Sequence, residues 1–307
     1  IDAGSGGDTL IYADGSDLSG DGPVDGGAGT DTIRFTSATA DVDDGDFANV
    51  SGDSIEAITL SSGGGNTTIT LGSSGDAATD GLTITGADQT APGSGDTIDV
   101  SGMTEAVTII AGSGDDVIAG GGSGDTITGG SGADVITGGG GVDTLTGGAG
   151  ADRFVFASGD AVSGERVNSD GSDTIELSTG ADISVVDAEG SGAGSAFNAD
   201  NLTLSGDANV TMTVAQHEGF GSITASGSET VTLSSAGAVS GDSAVENYVL
   251  ASGGSTFTLG SGGQSVDATA GSGDTIAFCG LSGSGTVETV AGDALVLSSN
   301  AAISGVY

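Results

Sequence analysis

The chain has very few residues that carry positive charge or form cross-links. Its 307 residues include three arginines, no lysine, one histidine and one cysteine, Cys279. A single cysteine excludes an internal disulfide framework. Nucleic-acid binding requires clusters of Lys and Arg, so this composition argues against a nucleic-acid partner.

Proline and long apolar runs are also scarce. Two prolines and the lack of a G-X-Y period exclude collagen, although 62 residues are glycine. No run approaches the roughly 18 apolar residues of a membrane span, so we expect no membrane insertion. No basic segment followed by an apolar stretch opens the chain, so we expect a signal peptide to be absent or already removed.

Carboxylates and strand-forming residues dominate what remains. The chain has 34 Asp and nine Glu, and its formal net charge is -40. Asp is a poor helix former and a common turn residue, so the excess indicates carboxylates presented by turns. The alternative is an acidic surface of the halophile type. That surface would spread its acids over exposed faces without a fixed period.

A nine-residue repeat runs from Ala111 to Val155. The five copies read AGSGDDVIA, GGGSGDTIT, GGSGADVIT, GGGGVDTLT and GGAGADRFV, which fit the pattern G-G-x-G-x-D-x-U-x with U large and apolar. Five tandem copies at constant spacing are a specific signal, whereas one Gly-rich loop is not. The sixth positions are Asp116, Asp125, Asp134, Asp143 and Asp152.

Further copies are scattered outside this block. Two nearly complete ones span Ala3–Ile11, with Asp8, and Gly26–Arg34, with Asp31. Partial copies occur at residues 93–98, 171–177 and 271–276. Serine replaces the fourth-position glycine at Ser94, Ser123 and Ser272, which weakens those matches.

The repeat predicts a flat coil of two nonapeptides, in which U points inward and stacked coils lie about 4.8 Å apart. Alternate aspartates then fall on the same edge, three on one and two on the other. Like charges about 5 Å apart repel by roughly 3 kcal/mol at an effective dielectric of about 20. The chain supplies almost no cation to offset this. Oxygen ligands in an irregular cage favour Ca²⁺, and the absence of a His/Cys cluster disfavours Zn²⁺.

The remaining sequence reads as short alternating strands separated by Gly/Ser/Asp turns. We predict an all-β β-solenoid or parallel β-roll with essentially no α-helix, with a β-sandwich as the alternative. The segments around Glu165 and Phe197 are predicted to be loops. The predicted domains are residues 1–156, containing the block, and 157–307.

The tandem block resembles the RTX (repeats-in-toxin) calcium-binding β-roll of bacterial secreted proteins. The resemblance implies Ca²⁺ bound between successive coils by turn carbonyls and sixth-position aspartates, type I secretion, and folding in external calcium. By residue match it implies a metal-binding set of Asp116, Asp125, Asp134, Asp143, Asp152, Asp8, Asp31, Gly112, Gly114, Gly130, Gly132, Gly139, Gly141, Gly148 and Gly150.

A broader resemblance links the rest of the chain to the lattice-forming region of Caulobacter-type surface-layer (S-layer) proteins. Residues 201–233 are similar in texture, being rich in Thr, Ser, Gly and Ala. In that family calcium drives lattice assembly. The helical N-terminal region that anchors that family to the cell has no counterpart among these 307 residues, so we expect a shorter relative or a fragment.

Catalytic patterns are lacking. His217-Glu218 has no second His four residues on, no G-x-S-x-G elbow occurs, and one His makes a catalytic triad improbable. We therefore expect no enzymatic activity. The predicted function is a structural, calcium-binding, extracellular protein of a bacterial surface that assembles with itself, with cell-surface polysaccharide as a further candidate partner. The alternative is the RTX portion of a type I secreted adhesin or exoenzyme.

Overall fold

The computed structural model describes residues 1–50, 54–60, 65–72, 81–86, 94–160, 165–169, 172–188, 197, 200–260, 264–278 and 286–297. Cys279 lies outside these ranges. The chain forms parallel sheets of a β-solenoid with about 11 turns, and helix accounts for only 7%. The predicted all-β solenoid is confirmed. Two compact units are present, residues 1–155 with 165–173 and residues 156–164 with 174–307.

Unit 1 is built from two parallel sheets. Sheet one contains β1, β2, β4, β6, β8, β10, β12 and β14, and sheet two contains β3, β5, β7, β9, β11 and β13. The strands are β1 (Thr9–Tyr12), β2 (Thr32–Phe35), β3 (Asp41–Asp43), β4 (Ala57–Thr59), β5 (Thr68–Thr70), β6 (Thr83–Thr85), β7 (Thr97–Asp99), β8 (Thr108–Ser113), β9 (Val117–Ala119), β10 (Thr126–Ser131), β11 (Val135–Thr137), β12 (Thr144–Ala149), β13 (Arg153–Phe156) and β14 (Arg166–Asn168).

Most of these strands are triplets with a β-branched or large apolar residue in the middle. Successive side chains of a strand point to opposite faces, so the middle residue faces inward and its neighbours face outward. The parallel registers stack these middle residues in two columns. The column of sheet one contains Ile33, Ile58, Ile84, Ile109, Ile127, Leu145 and Val167, all fully buried.

Unit 2 continues the same construction with less regular turns. Its strands are β15 (Thr174–Leu177), β16 (Asp187–Ala188), β17 (Asn201–Leu204), β18 (Asn209–Met212), β19 (Ser222–Ala225), β20 (Thr230–Leu233), β21 (Ala238–Ser240), β22 (Asn247–Leu250), β23 (Thr256–Thr258), β24 (Ser265–Asp267), β25 (Thr275–Phe278), β26 (Val287–Glu288) and β27 (Ala294–Leu297). Strands β18, β20, β22, β24 and β26 form one parallel sheet, and β21, β23, β25 and β27 form another.

Aromatic rings fill the core of unit 2 around Tyr248. The ring of Tyr248 lies 4.8 Å from that of Phe257 and 5.5 Å from that of His217. Nε2 of His217 is 3.0 Å from the Tyr248 hydroxyl, and Nδ1 is 3.1 Å from Oε1 of Glu218. Both ring nitrogens therefore have partners, Tyr248 within the core and Glu218 at the exposed surface, which accounts for burial of the one histidine.

The helices of the described chain are all short. They are α1 (Gly15–Ser19), α2 (Val214–Gly219) and a 3₁₀ helix over Asp44–Asn49. Capping boxes begin the 3₁₀ helix, at Asp43 with Asp46, and α2, at Thr213 with Gln216. Within the described residues, no helix is long and apolar enough to cross a membrane.

The predicted loop around Glu165 is wrong in part, because β14 (Arg166–Asn168) occupies it. Val167 stacks on Leu145 in the parallel register with β12 and is fully buried. The Glu-Arg-Val sequence thus repeats the acid, outward residue and inward apolar residue of each nonapeptide. Of the second predicted loop, around Phe197, the structure describes only part, and Phe197 itself is buried.

Successive Gly turns pack backbone against backbone. Gly130 has φ +125°, and a Cβ built on it would overlap the carbonyl oxygen of Gly112 one coil earlier. Gly6 has a similar φ of +120° but has no atom within 4 Å of a Cβ. A comparison of the two positions therefore separates the cost of backbone strain from the cost of steric overlap.

We expect Gly130→Ala to destabilise unit 1 more than Gly6→Ala. Both changes place a Cβ at positive φ, which costs about 1–2 kcal/mol. Gly130→Ala also creates an overlap with the neighbouring turn, which costs about 1–3 kcal/mol more. Urea unfolding followed by circular dichroism measures the difference, and equal losses of stability for the two variants would contradict it.

Candidate calcium sites

Each sixth-position aspartate lies at the point where a Gly turn enters a strand. It comes two residues before U, and it therefore points to the same inward side. Asp116, Asp125, Asp134, Asp143 and Asp152 are at most 2% exposed. They are therefore internal groups of the coil and not solvated turn residues. The sequence pattern alone does not decide between these two possibilities.

The buried aspartates of one edge form a hydrogen-bond ladder from coil to coil. The N–H of Asp116 donates to Oδ1 of Asp134 (2.8 Å), and the N–H of Asp134 donates to Oδ1 of Asp152 (2.9 Å). Asp96 and Asp173 extend this ladder at its two ends. The predicted stacking of alternate aspartates on one edge agrees with this geometry.

The opposite edge has an equivalent ladder. The N–H of Val107 donates to Oδ1 of Asp125 (2.9 Å), and the N–H of Asp125 donates to Oδ1 of Asp143 (2.8 Å). Each carboxylate therefore satisfies a backbone donor of the preceding coil with one oxygen only.

The second carboxylate oxygen lacks a protein partner at several positions. Among the described residues, no donor reaches the buried Oδ2 atoms of Asp116 and Asp134. Asp125 differs, because its Oδ2 accepts the N–H of Gly121 at 2.7 Å. That difference accompanies Ser123, which replaces the usual fourth-position glycine of the same turn. A buried charged oxygen without a donor requires a proton or a cation.

The predicted turn glycines form a cradle of carbonyl groups beside these oxygens. The eight predicted glycines have left-handed φ values between +90° and +146°. A Cβ on most of them would overlap a backbone atom of the turn one coil earlier, so carbonyl oxygens line the gap between turns. Asp116 and Asp134 follow turns on the first edge, and Asp143 follows a turn on the second. The eight glycines are Gly112, Gly114, Gly130, Gly132, Gly139, Gly141, Gly148 and Gly150.

The N-terminal copies have the same arrangement. The N–H of Asp8 donates to Oδ1 of Asp31 (2.7 Å), and both Oδ2 atoms lack a partner among the described residues. Gly27 and Gly29 are left-handed, and a Cβ on either would overlap the carbonyl of the turn at residues 4–6. Asp8 and Asp31 are thus placed together, apart from the tandem block.

This oxygen set fits Ca²⁺. Among the described residues, no three His, Cys, Asp or Glu side chains converge as a preformed metal cluster. A cation between two turns would therefore be held by one or two carboxylates and by backbone carbonyls. Ca²⁺ accepts such a flexible oxygen cage, in which neutral carbonyls replace part of its hydration shell.

Burial changes the acidity of the ladder. Desolvation raises the pKa of Asp134 to about 7, with the nearby Asp116 and Asp152 charges adding to the effect. Desolvation also raises the pKa of Asp116 to about 6, with smaller contributions from Asp96 and Asp115. The pKa of Asp125 is raised for the same main reason. A bound cation opposes these shifts by stabilising the ionised carboxylates.

Equivalent acids occur where the sequence shows a partial copy or none. Each lies two residues before an inward apolar residue, and that spacing was the available signal. Glu56 shows the relation, because its Oε2 accepts the N–H of Asp31 at 2.6 Å although no nonapeptide surrounds it. The partial copies beginning at Gly93 and Gly171 have first residues outside the described ranges. The buried acids of this kind are Asp96, Glu165, Asp173, Asp200, Glu229 and Asp274.

Comparison with known families identifies the repeats. The family model described as RTX calcium-binding nonapeptide repeat (4 copies) matches residues 99–127 and 120–154. The chain therefore carries RTX calcium-binding repeats, and the matched segments contain all five tandem aspartates. Such repeats are calcium-binding motifs typical of proteins exported by type I secretion. Asp8 and Asp31 lie outside the match. No curated protein and no solved structure matches the chain.

We expect Asp134→Asn to reduce stabilisation by calcium while leaving the metal-free fold intact. The amide oxygen can still accept the N–H of Asp116, but the charge is lost. One ion bound at a hundred times its Kd contributes about 2.7 kcal/mol, so a loss of that order is expected. Thermal unfolding with calcium and with chelator measures both states.

Asp115→Asn is the matched control for this substitution. Asp115 is exposed, and it also accepts a backbone N–H from the next coil, that of Ala133 at 2.9 Å. The control removes one carboxylate charge next to Asp116 and leaves the buried carboxylate oxygens unchanged. If both variants lose calcium stabilisation equally, the loss reflects net charge and not the site.

We expect the metal-free protein to become more stable as the pH falls from about 8 to about 5. The folded pKa values of Asp116 and Asp134 lie above the unfolded value of about 3.9, so their contribution is present at low pH and is lost as the pH rises through about 6 to 7. Calcium competes with these protons, so its affinity should rise with pH over the same window. Thermal unfolding in chelator, compared with Asp134→Asn, isolates this term from general charge repulsion.

Proposed function

We propose, from the presence of RTX calcium-binding repeats, that this protein is a structural component of a bacterial surface that folds and assembles with itself when it meets external calcium. The observation that carries the proposal is the pair of buried carboxylate ladders with donorless oxygens facing stacked turns. A chain with a net charge of -40 and three arginines supplies too few cations to neutralise them all. The cation must therefore come from the solution.

Self-association is a general property of open strand edges. Such an edge is a template for pairing with another chain, and head-to-tail contacts extend without closing. The outward rows of threonine next to the acidic turns leave room for lateral contacts through calcium or through cell-surface polysaccharide.

The proposed role is structural rather than catalytic. His217, the one histidine, is 4% exposed and hydrogen-bonds Glu218 and Tyr248, which supports a packing role. Burial lowers its pKa, so the neutral ring is the resident form.

A second candidate is the calcium-folding portion of a type I secreted adhesin or exoenzyme. The observation that favours it is the extent of the family match, residues 99–154, which is a minority of the chain. In that case calcium would fold this chain, and the active module would lie elsewhere in a longer protein.

We expect calcium to convert the purified protein into sheets or filaments, and chelator to dissolve them with loss of β structure. Negative-stain electron microscopy and circular dichroism, on the same samples with calcium and then with excess chelator, measure the two effects. Magnesium at equal ionic strength is the control for charge screening.

The outcomes separate the candidates. Assembly that survives excess chelator would sink calcium-driven assembly. Calcium-folded particles that stay monomeric at all protein concentrations would favour the secreted-module candidate.

A further inference from the structure

Unit 2 contains a buried carboxylate with no nonapeptide around it. Glu229 lies immediately before β20 and is fully buried. Its Oε1 accepts the N–H of Ser226 at 2.8 Å, which closes the turn. No donor among the described residues reaches its buried Oε2. The turn thus holds one acceptor that the protein leaves unsatisfied.

A second carboxylate contacts the same residue. Glu246, one coil later, accepts the N–H of Glu229 with its Oε2 at 3.2 Å. Burial, followed by the adjacent Glu246 carboxyl, raises the pKa of Glu229. A buried carboxylate beside a like charge is stabilised by taking up a proton or by holding a cation.

The turn one coil earlier adds further oxygens. A Cβ on Gly227 would lie 2.5 Å from Oδ1 of Asp207, 2.9 Å from the carbonyl oxygen of Gly206 and 3.0 Å from Oε1 of Glu229. Oδ1 of Asp207 also accepts the N–H of Ser228 at 2.9 Å. Oxygens from two coils therefore surround Gly227, and Oε1 of Glu229 is one of them.

Unit 2 has no permanent cation of its own. The three arginines of the chain are Arg34, Arg153 and Arg166, and all of them belong to unit 1. His217 is the one other basic side chain, and its two ring nitrogens are already engaged with Glu218 and Tyr248. Whatever neutralises Glu229 and Glu246 must come from solvent.

We propose that the turn at residues 226–229 binds one divalent cation of the calcium type, held by the Glu229 and Glu246 carboxylates and completed by the Gly206 carbonyl and water. All of these donors are oxygens, which favours Ca²⁺ over Zn²⁺. Two carboxylates suffice when neutral oxygens fill the remaining positions. The site lies outside the matched RTX repeats, and it does not depend on the proposed assembly.

The test is the number of calcium ions bound per full-length chain, measured by equilibrium dialysis. Glu229→Gln keeps the shape and the Oε1 acceptor, and it should lose one bound ion relative to the unmodified protein. Asp134→Asn should reduce binding at the tandem repeats instead, so the double variant should show both losses. Equal losses from Asp134→Asn alone and from the double variant would contradict the proposal.

Glu246→Gln is the second variant, needed if Glu229→Gln fails to fold. Glu246 is exposed, so its substitution should leave the fold intact. It should weaken the same single ion at least tenfold without changing the others. Circular dichroism in calcium verifies the fold of each variant.

A shared proton gives a different result. In that case both variants bind as many ions as the unmodified protein with unchanged affinity, and Glu229→Gln makes the metal-free protein more stable at pH 7. That pattern would overturn the site. A loss of one ion confined to the Glu229 and Glu246 variants would establish it.

Discussion

The structure depends on one hydrogen bond repeated from coil to coil, in which a buried carboxylate accepts the backbone N–H that opens the preceding strand. Asp134 caps Asp116 in this way, and Asp31 is capped by Glu56. An amide at the mouth of a strand would otherwise be buried without an acceptor, at a cost of about 1–3 kcal/mol. The same interaction draws a negative charge into a thin core. The hydrogen bond that stabilises each coil therefore also creates the buried negative charge that needs a cation.

Glycine makes this arrangement possible in the tandem block. Left-handed turns at residues such as Gly130 bring each carbonyl against the next coil with no Cβ between them. Where Ser123 replaces glycine, the turn changes shape, and Oδ2 of Asp125 finds a backbone donor at Gly121. In the tandem block, Asp125 therefore lacks the donorless oxygen that Asp116 and Asp134 keep. Coils with the same strand register therefore differ in the oxygen atoms that they offer to a metal ion.

Much of this was predictable from sequence, because the apolar residue in each triplet and the aspartate two positions earlier have a fixed phase. The parallel solenoid and the stacking of alternate aspartates follow from that phase alone. The burial of the carboxylates was harder to predict, since Asp in a Gly-rich stretch is equally typical of an exposed turn. The structure shows that the aspartate, two residues before U, is buried on the same inward side as U.

The buried acids outside the tandem block escaped prediction for one physical reason. The spacing between capping partners is 18 residues in the block, but it is 21 from Asp152 to Asp173, 25 from Asp31 to Glu56 and 29 from Thr67 to Asp96. The turns absorb insertions while the strand triplets keep their register. A search for constant period finds the block and misses the longer coils. It likewise misses Glu229, where Glu replaces Asp and the turn has a different sequence.

The capping bond also has a direction along the chain. Among the described residues, the acceptor of this bond comes later in the sequence than the amide it caps, by 17 to 29 residues. A chain released into calcium from its amino end cannot complete a coil until the following coil has emerged. A chain delivered from its carboxyl end finds each acceptor already in place, so every new coil can dock on a finished template. The end of the chain that enters calcium first then decides whether coils fold one at a time onto folded neighbours, or whether each coil stays incomplete until the next has emerged.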